Sequence, residues 1–180
     1  MKTLKIICLL VSFGLLIGCA TVYDVKYDYD QQTDFAALKT YDWMAVPEKA
    51  GMNEFVVQRI KSAVNADLQA KGLILSTDNP DFLIAQHTGK ENKVQVTDWG
   101  YGYGSYGRYR GGYRGSSRVS TYEYEEGSLI LDFVDAKSRK LIWRGTGKAD
   151  VQYINTPDKS QALIDQAVQK ILAKFPPSVK

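Results

Sequence analysis

GSLILDFVDAKSRKLIWRGTGKADV, residues Gly127 to Val151, is the stretch that decides the fold. Gly127 to Asp135 carries the apolar run Leu129-Ile130-Leu131-Asp132-Phe133-Val134. Ala136 to Arg139 reads as a turn, and Lys140-Leu141-Ile142-Trp143-Arg144 opens a partner strand that continues through Gly145 and Gly147 towards Val151. Short apolar runs bounded by turn residues read as paired antiparallel strands. An α+β sheet is therefore the starting expectation.

Working outward, Arg118 to Glu126 reads as a polar strand, and Asp81 to His87, after the turn at Asp78-Asn79-Pro80, as a buried one that extends as far as Thr97. Tyr23, Val25, Tyr27 and Tyr29 alternate with charged residues, which predicts a half-buried strand with its aromatics inward. A short turn of helix is expected at Asp34–Lys39, and a second strand at Thr40–Met44. Gly51 to Gly72 predicts a helix capped by Asn53, with Val56, Ile60, Ala63, Val64 and Leu68 on one face. The last helix starts at the Thr156 cap with Pro157 in its first position and Asp158 suiting its dipole. Ile164, Val168, Ile171 and Phe175 line its apolar face, with Ala167 and Leu172 beside them. The expected architecture is a single domain: a mainly antiparallel sheet with two amphipathic helices packed on one face.

The amino terminus carries a different signal. Lys2 and Lys5 precede an apolar run from Ile6 to Ile17, which is shorter than the ~20 apolar residues a membrane-crossing helix needs. A basic head, a short apolar body and a small residue before the cut make residues 1–18 a secretory signal peptide. Leu16-Ile17-Gly18-Cys19 resembles the lipobox of bacterial lipoproteins. That resemblance implies a diacylglycerol on the Cys19 sulfur, cleavage after Gly18, and acylation of the new amino terminus. Ala20, where an Asp would retain the protein in the inner membrane, favours the outer membrane facing the periplasm. No other cofactor is expected.

Cleavage leaves residues 19–180 as one domain, 162 of the 180 residues, and loss of Lys2 and Lys5 takes the formal charge from +3 to +1. A nearly neutral exported chain is not expected to bind nucleic acid. Cys8 departs with the signal and Cys19 becomes the anchor, so no thiol remains for a disulfide, a metal or catalysis.

Asp34-Phe35, Lys39-Thr40-Tyr41-Asp42-Trp43, Asp81-Phe82-Leu83, Gly127-Ser128-Leu129, Asp132–Asp135 and Leu141-Ile142-Trp143-Arg144-Gly145 recur in one order with the lipobox, a Gly/Tyr-rich tract and the closing helix. In these features the chain resembles a family of Gram-negative envelope lipoproteins that carry an uncharacterised domain, domain of unknown function 4136. The resemblance implies an envelope lipoprotein and brings no catalytic residue with it.

The chemistry-bearing residues are few. His87 is the only histidine and has no cysteine to share a zinc site. Asp132 and Asp135, with Glu123, Glu125 and Glu126, could serve a two-carboxylate hydrolase of envelope polymers, but Asp135 equally fits a hairpin corner and the glutamates a wet strand face. Tyr41, Trp43 and Trp143 read as core aromatics. WGYGYGSYGRYRGGYRG, residues 99–115, interleaves Tyr103, Tyr106, Tyr109 and Tyr113 with Arg108, Arg110 and Arg114, behind Trp99. It is expected to be a long loop at a hairpin tip. Such side chains can stack on sugars and grip phosphate or carboxylate groups, and a plain solvated loop fits as well. The expected function is a non-catalytic, lipid-anchored binding or scaffolding domain whose partner is an envelope protein. The alternatives are a glycan-binding module using the tract, or a hydrolase.

Overall fold

The computed structural model describes residues 22–44, 53–98 and 119–177, of which 94–98 and 119–122 by backbone alone. Six strands form one sheet: β1 (Val22–Tyr29), β2 (Thr40–Trp43), β3 (Ile74–Leu75), β4 (Phe82–Asp98), β5 (Val119–Asp135) and β6 (Leu141–Asp150). Their spatial order is β1-β6-β5-β4-β2-β3. β1, β6, β5 and β4 pair antiparallel, while β2 runs parallel to both β4 and β3. Two helices, α1 (Glu54–Ala70) and α2 (Pro157–Leu172), cover one face of this sheet. This is the α+β architecture that the hairpin and the two amphipathic stretches predict.

Both helices start where their caps require. The Asn53 side chain accepts from the Phe55 N–H at 2.9 Å, and Thr156 Oγ1 from the Lys159 N–H at 3.3 Å. Each cap satisfies an amide that has no partner inside the helix. The buried stripe of α2 is Leu163, Ala167, Val168, Ile171 and Leu172, with Ile164 only half-buried. Asp34–Lys39 is a turn and no helix, with Asp34 accepting from the Ala36 N–H.

Two expectations for the strands need correction. Arg118–Glu126 and Gly127–Asp135 are not separate strands, because β5 runs unbroken from Val119 to Asp135 against all of β4. β1 does not keep its alternation: the register shifts between Tyr23 and Lys26, and Asp24 takes φ 51°. A bulge of this kind turns the strand over. Tyr23 therefore lies on the uncovered face opposite Lys148, while Tyr27 and Tyr29 lie on the helix side opposite Gly145 and Trp143.

The core is a cluster of rings at one end of the sheet. Phe175, just past α2, packs on Phe133 at 4.7 Å and on Trp143 at 5.4 Å between centroids, and Phe82 stacks on Phe133 at 5.0 Å. Gly145 makes this possible, since a Cβ there would fall on the Trp143 ring and 2.5 Å from Ile171 Cγ2. Tyr41 and Trp143 are fully buried, as expected of core aromatics. Trp43 is half-buried, beneath the Lys61 ammonium.

Candidate functional site

Register and alternation sort every side chain of the long strands to one face or the other. On the helix side the rows run Ile84–Phe133–Trp143, Gln86–Leu131–Gly145, Thr88–Leu129–Gly147 and Lys90–Gly127–Ala149. Side-chain volume falls along these rows from a ring cluster to two glycines and an alanine. Val151 closes on Gly127 and Ile171 on Gly147, and the space that is left lies towards the starts of both helices. That space is a cleft of about 830 Å³, with Leu129, Gly147 and Ala149 on its floor. Val56 and Ile60 of α1 form one wall, and Leu163 and Ala167 of α2 the other. Lys90, Arg59 and Asn155 add polar groups to the lining. A mostly apolar cleft of this size with a few polar groups is the usual form of a small-molecule site.

The cleft lies where both helices begin, and three other features share that end. β1 starts there, with Val22 opposite Ala149. Its backbone is held by α2: the Val22 N–H donates to Gln166 Oε1 at 3.0 Å, and Lys170 Nζ donates to the Val22 carbonyl at 2.8 Å. β6 ends there at Asp150, opposite Glu126. After one more bond, from the Val151 N–H to the Glu125 carbonyl at 2.8 Å, β4 and β5 continue as a two-stranded arm to Asp98 and Val119, which lie roughly 24 Å beyond the Asp150–Glu126 pair at the usual rise per residue.

The uncovered face carries ordered charge. Asp132, 6% exposed, takes a two-point grip from Arg144, Nε to Oδ1 at 2.6 Å and Nη2 to Oδ2 at 2.7 Å, with His87 Nε2 3.5 Å from Oδ2. Glu126 accepts from Lys148 Nζ at 3.0 Å and from the Tyr23 hydroxyl at 3.1 Å. The Lys148 bond holds the Glu126 carboxyl below its ordinary value and lifts the Lys148 ammonium in return. Burial, then the bond to Glu126, pushes the Tyr23 hydroxyl upward.

Several predicted residues find structural work. Asp135 forms the hairpin corner, where its carboxylate accepts from the Ser138 N–H at 2.6 Å and hydroxyl at 2.7 Å; the hydroxyl, then the amide, lower its pKa. Asp81 ties the start of β4 to that of β2 by accepting from the Lys39 and Thr40 N–H groups at 2.8 and 2.9 Å. These two amides hold Asp81 below its ordinary value. Glu125 pairs with Lys90 at 2.8 Å. Among the described residues no group of three or more His, Cys, Asp or Glu is placed to hold a metal, and no helix is long and apolar enough to cross a membrane.

Cys19 lies outside the described residues, as do Trp99, Tyr103, Tyr106, Arg108, Tyr109, Arg110, Tyr113 and Arg114 of the Tyr/Gly/Arg tract. The structure places that tract's flanks, since Asp98 and Val119 are paired. Sequence reasoning missed the cleft. Its signal was the small inward residues Gly127, Gly147 and Ala149, which acquire meaning only once the strands are in register.

One of the solved structures that resemble the chain shares its fold. A PDZ domain protein from Parabacteroides distasonis superposes with a TM-score of 0.57 at 15% identity, over 88% of this chain and 36% of its own. This chain thus spans about a third of that protein's length. A PelC dodecamer from Paraburkholderia phytofirmans gives 0.44 at 13% identity, over 85% of this chain and 95% of its own. No curated protein matches the chain. The profile of one family matches residues 25–177, nearly all of the described domain, and the chain belongs to that family, described as Domain of unknown function (DUF4136).

Proposed function

We propose that the protein is a lipid-anchored, periplasm-facing domain of the bacterial envelope, held in the outer membrane through Cys19, that works by binding and not by catalysis. The observation that carries the binding reading is the cleft: an apolar space of about 830 Å³ kept open beneath two helices whose other ends are packed on rings. The arrangement of carboxylates supports the non-catalytic half of the reading. Both oxygens of Asp132 are engaged by Arg144, and Asp135 is committed to its turn. A hydrolase of envelope polymers would instead need two carboxylates free to exchange protons across a bond. The anchor rests on the sequence of residues 1–19.

A second reading, a glycan-binding module using residues 99–115, is favoured by the interleaved Tyr and Arg residues and by an arm that carries the tract's flanks away from the body. Cells producing the wild type, Cys19→Ala, or a deletion of 99–115 would be fed an alkyne fatty acid, crosslinked and fractionated. The proposal expects label and membrane association to vanish in Cys19→Ala alone. It also expects a defined crosslinked partner from the wild type. An unlabelled, soluble wild type would overturn the anchor. Captures lost with the tract, together with glycan binding by the wild type, would favour the second reading.

A further inference from the structure

The position of the cleft relative to the anchor says more than either feature alone. Cys19 is three residues before Val22. Three residues span at most about 10 Å even when fully extended. Val22 is not loosely attached, since Gln166 and Lys170 hold its backbone from both sides and its side chain is buried. A lipid on Cys19 therefore keeps this end of the sheet at the bilayer surface, and this is the end where the cleft lies. Val22 itself borders the floor: a Cβ placed on Gly147 would sit 3.6 Å from Val22 Cγ1.

The surface around the cleft suits that location. Phe55, on the lining, is 72% exposed, and Tyr153, in the connection between the lining residues Val151 and Ile154, is 63% exposed. Exposed aromatic rings are characteristic of surfaces that sit at the headgroup level of a bilayer. Arg59, also on the lining, supplies a cation that suits a lipid phosphate, Lys90 being already paired with Glu125, above an apolar floor that suits a hydrocarbon chain.

We propose that the cleft takes an acyl chain of a phospholipid from the membrane to which Cys19 holds the protein, with Phe55 and Tyr153 resting on the headgroup layer. This rests on the lipoprotein reading and deepens it, because only the short tether brings cleft and bilayer together. An extended tether would leave the same cleft in water. Here the domain is a reader of the membrane beneath it.

The test uses the full-length protein in a Gram-negative host fed a diazirine-bearing palmitate. Cells are irradiated, and the purified protein is digested for mass spectrometry. Acylation is read from the Cys19 peptide in the same sample. The expected result is acylated Cys19 together with adducts of intact phospholipid mass on peptides containing Phe55–Ile60, Thr88–Lys90 or Ser160–Ala167. Ser160→Trp and Thr88→Trp each place an indole in the cleft from a different wall, and either, if folded, should lower those adducts about tenfold. Phe55→Ser should lower them less. Acylated Cys19 with no cleft adduct, or adducts indifferent to both tryptophans, would overturn the proposal and leave the anchor standing. Cleft adducts made only by the protein's own Cys19 acyl chains would overturn the phospholipid as occupant. An unacylated Cys19 would overturn the lipoprotein reading and this proposal with it.

Discussion

The two ends of the helix-covered face are built from the same strands and the same helices, yet they are packed in opposite ways. At the Ile84–Phe133–Trp143 row, rings from β5, β6 and the segment after α2 fill the space between sheet and helices. At the Lys90–Gly127–Ala149 row no ring enters, Val151 closes on Gly127, and a cleft remains beside it. Interiors are close-packed, and an unfilled volume costs stability. The contrast teaches that one end holds the fold, and that this lets the other end stay open.

The comparison can be broken most easily by deletion. Phe133→Ala should cost about 3–5 kcal/mol, because its neighbours Phe82, Trp143 and Phe175 are fixed around the hole. Leu129→Ala, on the cleft floor, should cost about 2 kcal/mol, since the space beside it is already open. Urea unfolding of the two variants decides the matter, and equal losses would mean that the ends are not different.

Addition sharpens it. Gly145→Ala should destabilise by about 1–3 kcal/mol through collision with the Trp143 ring and Ile171. Gly147→Ala should cost about 1 kcal/mol or less, since its Cβ would meet Ile171 Cδ1 and Cγ1 at 3.1 and 3.2 Å, a contact that a few tenths of an ångström relieve. Thermal unfolding would rank them, and the reverse order would contradict the packing described.

Gln86 lies between the two ends. It is 4% exposed, and neither its Nε2 nor its Oε1 has a partner among the described residues. An unsatisfied buried amide costs stability, so Gln86→Leu should stabilise by about 1 kcal/mol in the same assay. The smallest expected effect is on acid stability. Two backbone amides lower the pKa of Asp81, so its contribution is present above the ordinary value of 3.8 and is lost as pH falls through the lower folded value. Asp81→Asn should therefore lose stability at neutral pH and show a shallower fall below pH 3.8 than the wild type. An unchanged acid limb would show that the staple between β2 and β4 contributes nothing.

Much of the fold was legible because it is written locally. Asn53, Thr156 and Pro157 mark the helix starts by chemistry that acts within a few residues, and the turn at Asp135–Arg139 does the same for the hairpin. β1 was misread because alternation predicts inward and outward only while the register holds. The positive φ at Asp24 reverses it after Tyr23. The cleft was illegible for a related reason. Gly127, Gly147 and Ala149 look like ordinary strand residues until β5 and β6 are paired, and only then do their missing side chains fall in one place.

The most direct measurement is amide hydrogen exchange on the acylated protein in phospholipid nanodiscs, compared with the Cys19→Ala mature chain in lipid-free buffer. The account predicts that the added protection is confined to the cleft end, at residues 55–60, 88–90 and 153–164, and that Ile84, Phe133 and Trp143 exchange at the same rates in both. Protection added evenly over the domain, or at the Ile74–Leu75 edge in place of the cleft, would contradict it.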